Sequence, residues 1–222
     1  MSIAENIRII KNNLPESVCL VVVSKYNPVE MIQMAYDAGH RVFGESKVQE
    51  VVRKYEELPK DINWHFIGHL QTNKVKYIAP FVSLIHGIDS WKLLEQVNKD
   101  AKKNGRIIDC LLQFHIAQEE TKFGLNREEA FEMLASTAFK QLQHVRICGV
   151  MGMASYCDDE SQVNLEFANL SEIFQSLKKS FFALDESFKV VSMGMSGDYK
   201  LAIAQGSTMI RVGSAIFGER IY

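Results

Sequence analysis

The sequence is poor in cysteine, and its cysteines form no pairing pattern. The 222 residues include only 4 cysteines, Cys19, Cys110, Cys148 and Cys157, and no two of them form a CxxC pair. Zinc sites and dithiol redox centres need closely spaced cysteines, so both classes are disfavoured. Scattered thiols in or beside apolar runs are typical of a reducing compartment, and we expect the protein to be cytoplasmic.

Long apolar segments, linkers and a charge excess of one sign are also lacking. No apolar stretch could span a bilayer, and the first residues form an amphipathic pattern, not a signal peptide. The formal net charge is -2 without a sustained Lys/Arg run, so no basic field favours nucleic acid. No Pro/Gly/Ser-rich linker divides the chain. We therefore expect a single domain over residues 1–222 with a small-molecule partner and neither a nucleic acid nor a membrane partner.

What the sequence does have is a regular alternation of short β-branched strands and helices. The first strand, residues 20–25, ends in Lys25 and precedes a helix that Asn27 should cap and Gly39 should end. Further strands are predicted at 41–43, 64–67, 82–86, 107–113, 145–151, 188–192 and 208–212, with intervening helices that include one at 71–79. Gly44 and Glu45 are predicted to form a turn.

This alternation predicts the fold. With 47% hydrophobic residues the chain can bury a core of barrel size. Eight parallel strands with intervening helices are typical of a closed α/β structure, the (β/α)8 TIM barrel, here with one extra N-terminal helix. A doubly wound open sheet is the alternative.

Barrel closure would pair the last strand with the first and bring Lys25 and Arg211 to one barrel mouth. Arg211 alternates with apolar neighbours, and a buried guanidinium needs an anion or a strong acceptor. A like charge and partial burial would both favour the neutral amine of Lys25, which is the form that attacks a carbonyl. The alternatives are a solvated Lys25 and a purely structural ion pair of Arg211 with Glu45 or Glu219.

Two glycine-containing turns, residues 192–198 and 213–218, follow the last two strands. Barrel enzymes commonly bind phosphate between these loops, where backbone amides and a short helix face the ligand. Gly197 and Gly213 would permit close backbone approach. A phosphate, a lysine able to form a Schiff base and an arginine together indicate pyridoxal 5′-phosphate (PLP).

Five motifs then identify a family. They are VVSK at 22–25, VFGE at 42–45, WHFIGHLQTNK at 64–74, SMGMS at 192–196 and GSTMIRVGSAIFG at 206–218. They closely resemble the pyridoxal phosphate homeostasis proteins, the YggS-like family, whose barrel is similar to the N-terminal domain of alanine racemase. The resemblance implies that Lys25 holds PLP as an internal aldimine and that Arg211 faces the pyridine nitrogen. It implies that Ser196, Gly213 and Ser214 hold the phosphate.

The resemblance also bears on catalysis. Arginine opposite the pyridine nitrogen should keep that nitrogen unprotonated and the ring a weak electron sink. Alanine racemases also use a tyrosine from an additional β domain across a dimer. This sequence stops at Tyr222, so we expect no such domain. One departure from the family is Ser46, which replaces the asparagine that usually follows Phe-Gly-Glu and lies near the phenolic oxygen of the cofactor.

The implied function is PLP binding and intracellular PLP homeostasis without efficient turnover, by a monomer whose candidate recipients are apo PLP-dependent enzymes. A small PLP-dependent amino-acid racemase is the first alternative. A Schiff-base aldolase or phosphosugar isomerase on the same barrel is the second. We predict no metal site, because His65 and His69 straddle the turn at Gly68 and not a helix face, with no acidic residue at ligand spacing.

Overall fold

The strands form a closed parallel barrel in a computed structural model that describes residues 2–118 and 123–218. Each strand pairs in parallel with the next along the chain, and the last pairs with the first. The predicted (β/α)8 barrel is confirmed, and the open sheet is excluded. The strands are β1 (Cys19–Val23), β2 (Val42–Glu45), β3 (Asn63–Phe66), β4 (Leu84–Ile88), β5 (Ile108–Phe114), β6 (Val145–Gly152), β7 (Val190–Ser192) and β8 (Met209–Val212).

Helices connect the strands and cover the outside of the barrel. They are α1 (Ile3–Asn12), α2 (Val29–Asp37), α3 (Val48–Glu57), α4 (Val75–Ile78), α5 (Trp91–Lys103), α6 (Arg127–Ala135), α7 (Thr137–Lys140), α8 (Glu160–Phe181), α9 (Tyr199–Ala204) and α10 (Ser214–Phe217). The extra N-terminal helix, α1, is capped by Ser2 and buries Ile7 and Ile10. In the described part of the chain, no helix has the length and apolar character needed to cross a membrane.

Several local predictions were wrong. The N-cap of α2 is Pro28, and the Asn27 side chain instead donates a hydrogen bond to the Lys25 carbonyl oxygen. Gly44 and Glu45 continue β2, because both pair with β3. Residues 71–79 form a 3-10 turn (Thr72–Lys74) followed by α4, and the sequence did not indicate α7 or α10.

Side-chain alternation separates two apolar layers. The larger layer lies between the strands and the helices, and Trp64, Phe43 and Phe167 are among its fully buried members. The smaller layer contains alternate residues of five strands, which face the barrel interior: Val21, Leu84, Leu111, Cys148, Met151 and Met209. This inner layer occupies part of the barrel interior, and in barrels of this kind ligands bind at the carboxyl ends of the strands.

Candidate functional site

The pairing of β1 with β8 sets the geometry of the barrel mouth. Val21 is opposite Arg211, and a Cβ built on Gly213 would lie 3.1 Å from the Val23 carbonyl oxygen. Lys25, which is half-buried, lies in the turn that follows the end of β1 at Val23. Lys25 is therefore at the rim, and Arg211, level with Val21, lies deeper. The two residues share one side of the mouth at different depths.

Arg211 is a buried cation whose side-chain hydrogen bonds go to neutral acceptors. Its side chain donates to the Ser192 hydroxyl at 2.7 Å and to the Gly152 carbonyl oxygen at 3.2 Å. Among residues 2–118 and 123–218, no carboxylate lies within the 4.0 Å of a salt bridge to this guanidinium. Burial lowers the pKa of Arg211 to about 10, so the side chain stays charged at neutral pH. A guanidinium has five N–H donors, and this one can still accommodate an acceptor from a ligand.

The structural ion pair considered for Arg211 does not form with Glu45. Glu45 is buried outside the barrel wall and pairs with Lys54 at 2.7 Å. Glu219, the other acid considered, lies outside the described residues.

A hydrogen-bonded chain extends from Arg211 across the barrel. The Ser192 hydroxyl is 3.0 Å from His86 Nδ1, and His86 Nε2 is 3.1 Å from His65 Nδ1. A guanidinium only donates, so Ser192 accepts from Arg211. The contacts from Ser192 to His86 and from His86 to His65 take their direction from the histidine tautomers.

Both histidines of this chain are neutral. Burial lowers the pKa of His65 to about 3. Burial lowers the pKa of His86 well below its usual value, and the charges of His65 and Arg211 lower it further. Neutral imidazoles can relay the hydrogen bonds without adding a second positive charge beside Arg211. The arginine is thus held in one orientation and keeps the only charge in the chain.

The loops after β7 and β8 are joined to each other. The Gly213 amide donates to the Ser196 hydroxyl at 3.3 Å, and the Arg211 amide donates to the Gly194 carbonyl oxygen at 3.0 Å. Gly213 is the N-cap of α10, and Ser214 is its exposed first residue. The predicted residues Lys25, Ser196, Arg211, Gly213 and Ser214 therefore belong to three adjacent strands and the loops at their carboxyl ends.

Glycines let the opposite side of the mouth close up. A Cβ on Gly68 would lie 2.4 Å from the Ser46 carbonyl oxygen, and one on Gly87 would lie 2.8 Å from the Gly68 carbonyl oxygen. Contacts this short are incompatible with a side chain at either position. Ser46 is therefore fixed at the rim by the backbone packed against it.

The two histidines considered as metal ligands have different surroundings. His65 is buried in the chain to Arg211, whereas His69 contacts Asp89 at 3.0 Å and stacks on Phe123. Within residues 2–118 and 123–218, no group of three or more His, Cys, Asp or Glu side chains is placed to hold a metal ion.

Sequence reasoning missed His86, Ser192 and Lys54 as parts of the site. A signal existed for two of them. His86 is a polar residue in a buried apolar strand. Lys54 follows Val48 and Val51 at helical spacing, which places a lysine on the buried face of α3.

Comparison with known proteins gives consistent matches over nearly the whole chain. The family model for the N-terminal domain of alanine racemase matches residues 1–221. The pyridoxal phosphate homeostasis protein of Aquifex aeolicus (strain VF5) is 39% identical over 204 residues, covering 91% of this chain and 87% of the relative. The protein of the same name from Synechocystis sp. (strain ATCC 27184 / PCC 6803 / Kazusa) is 37% identical over 211 residues, covering 94% of each. The resemblance drawn from the motifs is confirmed.

Solved structures agree with the fold. PipY of Synechococcus elongatus PCC7942, solved with PLP bound, superposes with a TM-score of 0.88 at 36% identity and covers 98% of this chain and 100% of its own. Alanine racemase of Clostridium difficile 630 superposes with a TM-score of 0.74 at 14% identity, covering 100% of this chain and 56% of its own. The second likeness concerns the barrel alone.

Proposed function

The chain belongs to the pyridoxal phosphate homeostasis protein family, whose barrel is the alanine racemase N-terminal domain, and from this we propose that it binds PLP and acts in intracellular PLP homeostasis without efficient turnover. The observation that carries the proposal is Arg211, a buried cation deeper in the mouth than Lys25, whose side-chain hydrogen bonds in the described structure go to neutral acceptors. Such a group is stable where a ligand supplies the missing acceptor. The names of the relatives denote a homeostasis protein and not an enzyme.

We assign the attachment to Lys25 and the ring nitrogen to Arg211. Bound PLP would supply an aldehyde, which condenses reversibly with a neutral amine and releases one water molecule. The aldehyde and the ring nitrogen are on opposite sides of the ring of PLP. An amine at the rim and a guanidinium deeper in the mouth match that separation.

We assign the phosphate to Ser196, Gly213 and Ser214. The Ser196 hydroxyl accepts from the Gly213 amide, so the two loops meet at this point, and the serine keeps its own proton to donate to a phosphate. Ser214 adds a hydroxyl at the first residue of α10. Gly213 has no side chain to fill the space beside Val23, so the backbone can approach a ligand closely.

Arginine at the ring nitrogen favours a holder over a catalyst. A permanent cation that donates to this nitrogen keeps it unprotonated, and the ring then withdraws electrons weakly. The hydrogen-bonded side chains of Ser192, His86 and His65 help to keep the ring nitrogen unprotonated, because neutral histidines next to the arginine offer no acidic proton.

The proposal is tested by the spectrum of the protein with PLP and by borohydride reduction followed by peptide mass spectrometry. We expect a visible absorbance band and a pyridoxyl-phosphate adduct on the peptide that contains Lys25. The control variant Lys103→Ala changes an exposed lysine of α5 and should behave as wild type. Trapping that requires a sugar phosphate would favour an aldolase or isomerase. Rapid loss of chirality in an L-amino acid would favour a racemase.

We further propose that the chain acts as a single-domain monomer in the cytoplasm and delivers PLP to apo PLP-dependent enzymes. Sedimentation of the purified protein tests the first point. Direct delivery is tested by adding an apo enzyme to the loaded protein, since activation faster than spontaneous release of PLP requires an encounter between the two proteins.

A further inference from the structure

The backbone around Lys25 has an unusual conformation. Ser24 and Asn27 close a turn through a hydrogen bond of 3.0 Å from the Asn27 amide to the Ser24 carbonyl oxygen. Tyr26, directly after Lys25, has a φ of 66°, in the left-handed region that non-glycine residues seldom adopt. This conformation costs on the order of 1 kcal/mol or more and needs support from its surroundings.

That support comes in part from a buried ion pair beneath the turn. Lys54 Nζ lies 2.7 Å from Glu45 Oε1 and donates to the Ser24 carbonyl oxygen at 2.9 Å. The Ser24 hydroxyl donates to the same Glu45 oxygen at 2.7 Å. The exposed fractions of the Lys54 and Glu45 side chains are 1% and 0%. The residue before Lys25 is therefore held through both its backbone and its side chain.

A second carboxylate holds the residue after Lys25. Glu50 Oε2 lies 3.5 Å from Lys54 Nζ and accepts a hydrogen bond of 3.1 Å from the Tyr26 amide. The ion network formed by Glu45, Lys54 and Glu50 thus contacts the backbone on both sides of Lys25.

Stability alone does not account for this network. A buried ion pair is often no more stabilising than apolar side chains of similar volume, because both charges lose their hydration. Burial raises the pKa of Glu45, and the neighbouring Lys54 opposes that effect. Glu45 Oε2 is also buried without a hydrogen-bond partner in the described part of the chain. The contacts that the network does make are directed at Ser24 and Tyr26.

We propose that Glu45, Lys54 and Glu50 are positioning residues that fix the backbone on both sides of Lys25, so that its amine is presented to an aldehyde in the barrel mouth. The proposal rests on the proposed function, because it concerns the lysine assigned to PLP. It predicts an effect on covalent attachment that exceeds any effect on binding of the rest of the ligand.

The main test compares PLP with pyridoxine 5′-phosphate, which has the same ring and phosphate but no aldehyde. The variant Glu45→Gln/Lys54→Met removes both buried charges together and so avoids an uncompensated one. We expect its equilibrium constant for attachment at Lys25, measured by absorbance and borohydride trapping, to fall about tenfold. Its affinity for pyridoxine 5′-phosphate should stay within about twofold of wild type. Lys103→Met, which removes the exposed lysine of the Lys103–Asp100 pair in α5, is the matched control and should change neither quantity.

Glu50→Gln is the second variant, for the case in which the double variant does not fold. It leaves the Glu45–Lys54 pair in place, weakens the bond to the Tyr26 amide and removes the charge of Glu50 beside Lys54 and Lys47. We expect faster hydrogen exchange at that amide and weaker attachment of PLP. An equal loss for both ligands would overturn the proposal, as would unchanged attachment in a folded variant. If wild type fails to attach PLP at Lys25, the proposed function is wrong, and exchange at the Tyr26 amide still decides whether the network fixes the turn.

Discussion

The guanidinium of Arg211 donates a hydrogen bond of 2.7 Å to the hydroxyl of Ser192, and both side chains are buried. This contact joins β8 to β7 inside the barrel, and the Ser192 hydroxyl links it to His86 and through His86 to His65. The cation is thereby held by hydrogen bonds to neutral groups, the Ser192 hydroxyl and the Gly152 carbonyl oxygen.

Replacing Arg211 with methionine should weaken PLP binding. The change removes the charge at similar volume, and hydrogen bonds to charged groups contribute about 1.5–3 kcal/mol. We expect the dissociation constant to rise about 10- to 100-fold in a fluorescence titration. Arg146→Met is the matched control. Arg146 lies at the start of β6, is half-exposed and donates a hydrogen bond to Asp109 of β5. Equal affinities of Arg211→Met and wild type would refute the assignment.

Replacing Ser192 with alanine should lower the free energy of unfolding. Arg211 loses an acceptor and His86 loses its hydrogen-bond partner, and each buried group left unsatisfied costs about 1–3 kcal/mol. Urea denaturation measures the change. Ser180→Ala, at an exposed position of α8, should stay within about 0.5 kcal/mol of wild type. A Ser192→Ala protein as stable as wild type would contradict the hydrogen-bonded chain.

The neutral histidines predict a pH dependence of stability. The folded-state pKa values of His65, about 3, and His86 are both depressed, whereas an unfolded histidine binds a proton near pH ~6.5. Below that pH the unfolded state holds more protons, so stability falls as the pH falls, by about 1.4 kcal/mol per pH unit for each histidine. Between about pH 6 and pH 5, His86→Gln should show a slope shallower by that amount. Carboxylates common to both proteins cancel in the comparison, and parallel slopes would contradict the prediction.

A side chain at Gly68 should be poorly tolerated. A Cβ there would meet the Ser46 carbonyl oxygen at 2.4 Å, so the rim must shift to admit it. Overpacking of this kind costs about 1–3 kcal/mol. Gly197→Ala is the control, because nothing lies within 4 Å of its added Cβ. Comparable melting temperatures for the two variants would show that the rim is more compliant than the structure indicates.

Much of the fold was predictable, because strand periodicity and turn residues are local signals. The alternation of Arg211 with apolar neighbours correctly indicated that the arginine is buried on the inner face of β8. The turn predicted at Gly44 was wrong, because pairing with His65 on β3 overrides the turn preference of glycine. Such pairing between two strands cannot be predicted from the sequence of either strand alone.

The depth of the site was less predictable. The sequence placed Lys25 and Arg211 at one mouth, but the register that sets Arg211 against Val21 arises from the stagger of the closed barrel. The pairing of Glu45 with Lys54 is equally invisible from spacing, because a strand end and a helix must first come together. The only local signal was the position of Lys54 on the buried face of α3, which indicates a lysine that needs a partner.

The most direct test of the account is borohydride trapping of PLP, with peptide mass spectrometry, on wild type and Lys25→Ala. The account predicts one pyridoxyl-phosphate adduct per wild-type chain on the Lys25 peptide, and loss of both that adduct and the visible band in Lys25→Ala. An adduct of equal yield on another lysine, or an unchanged band in the variant, would contradict it.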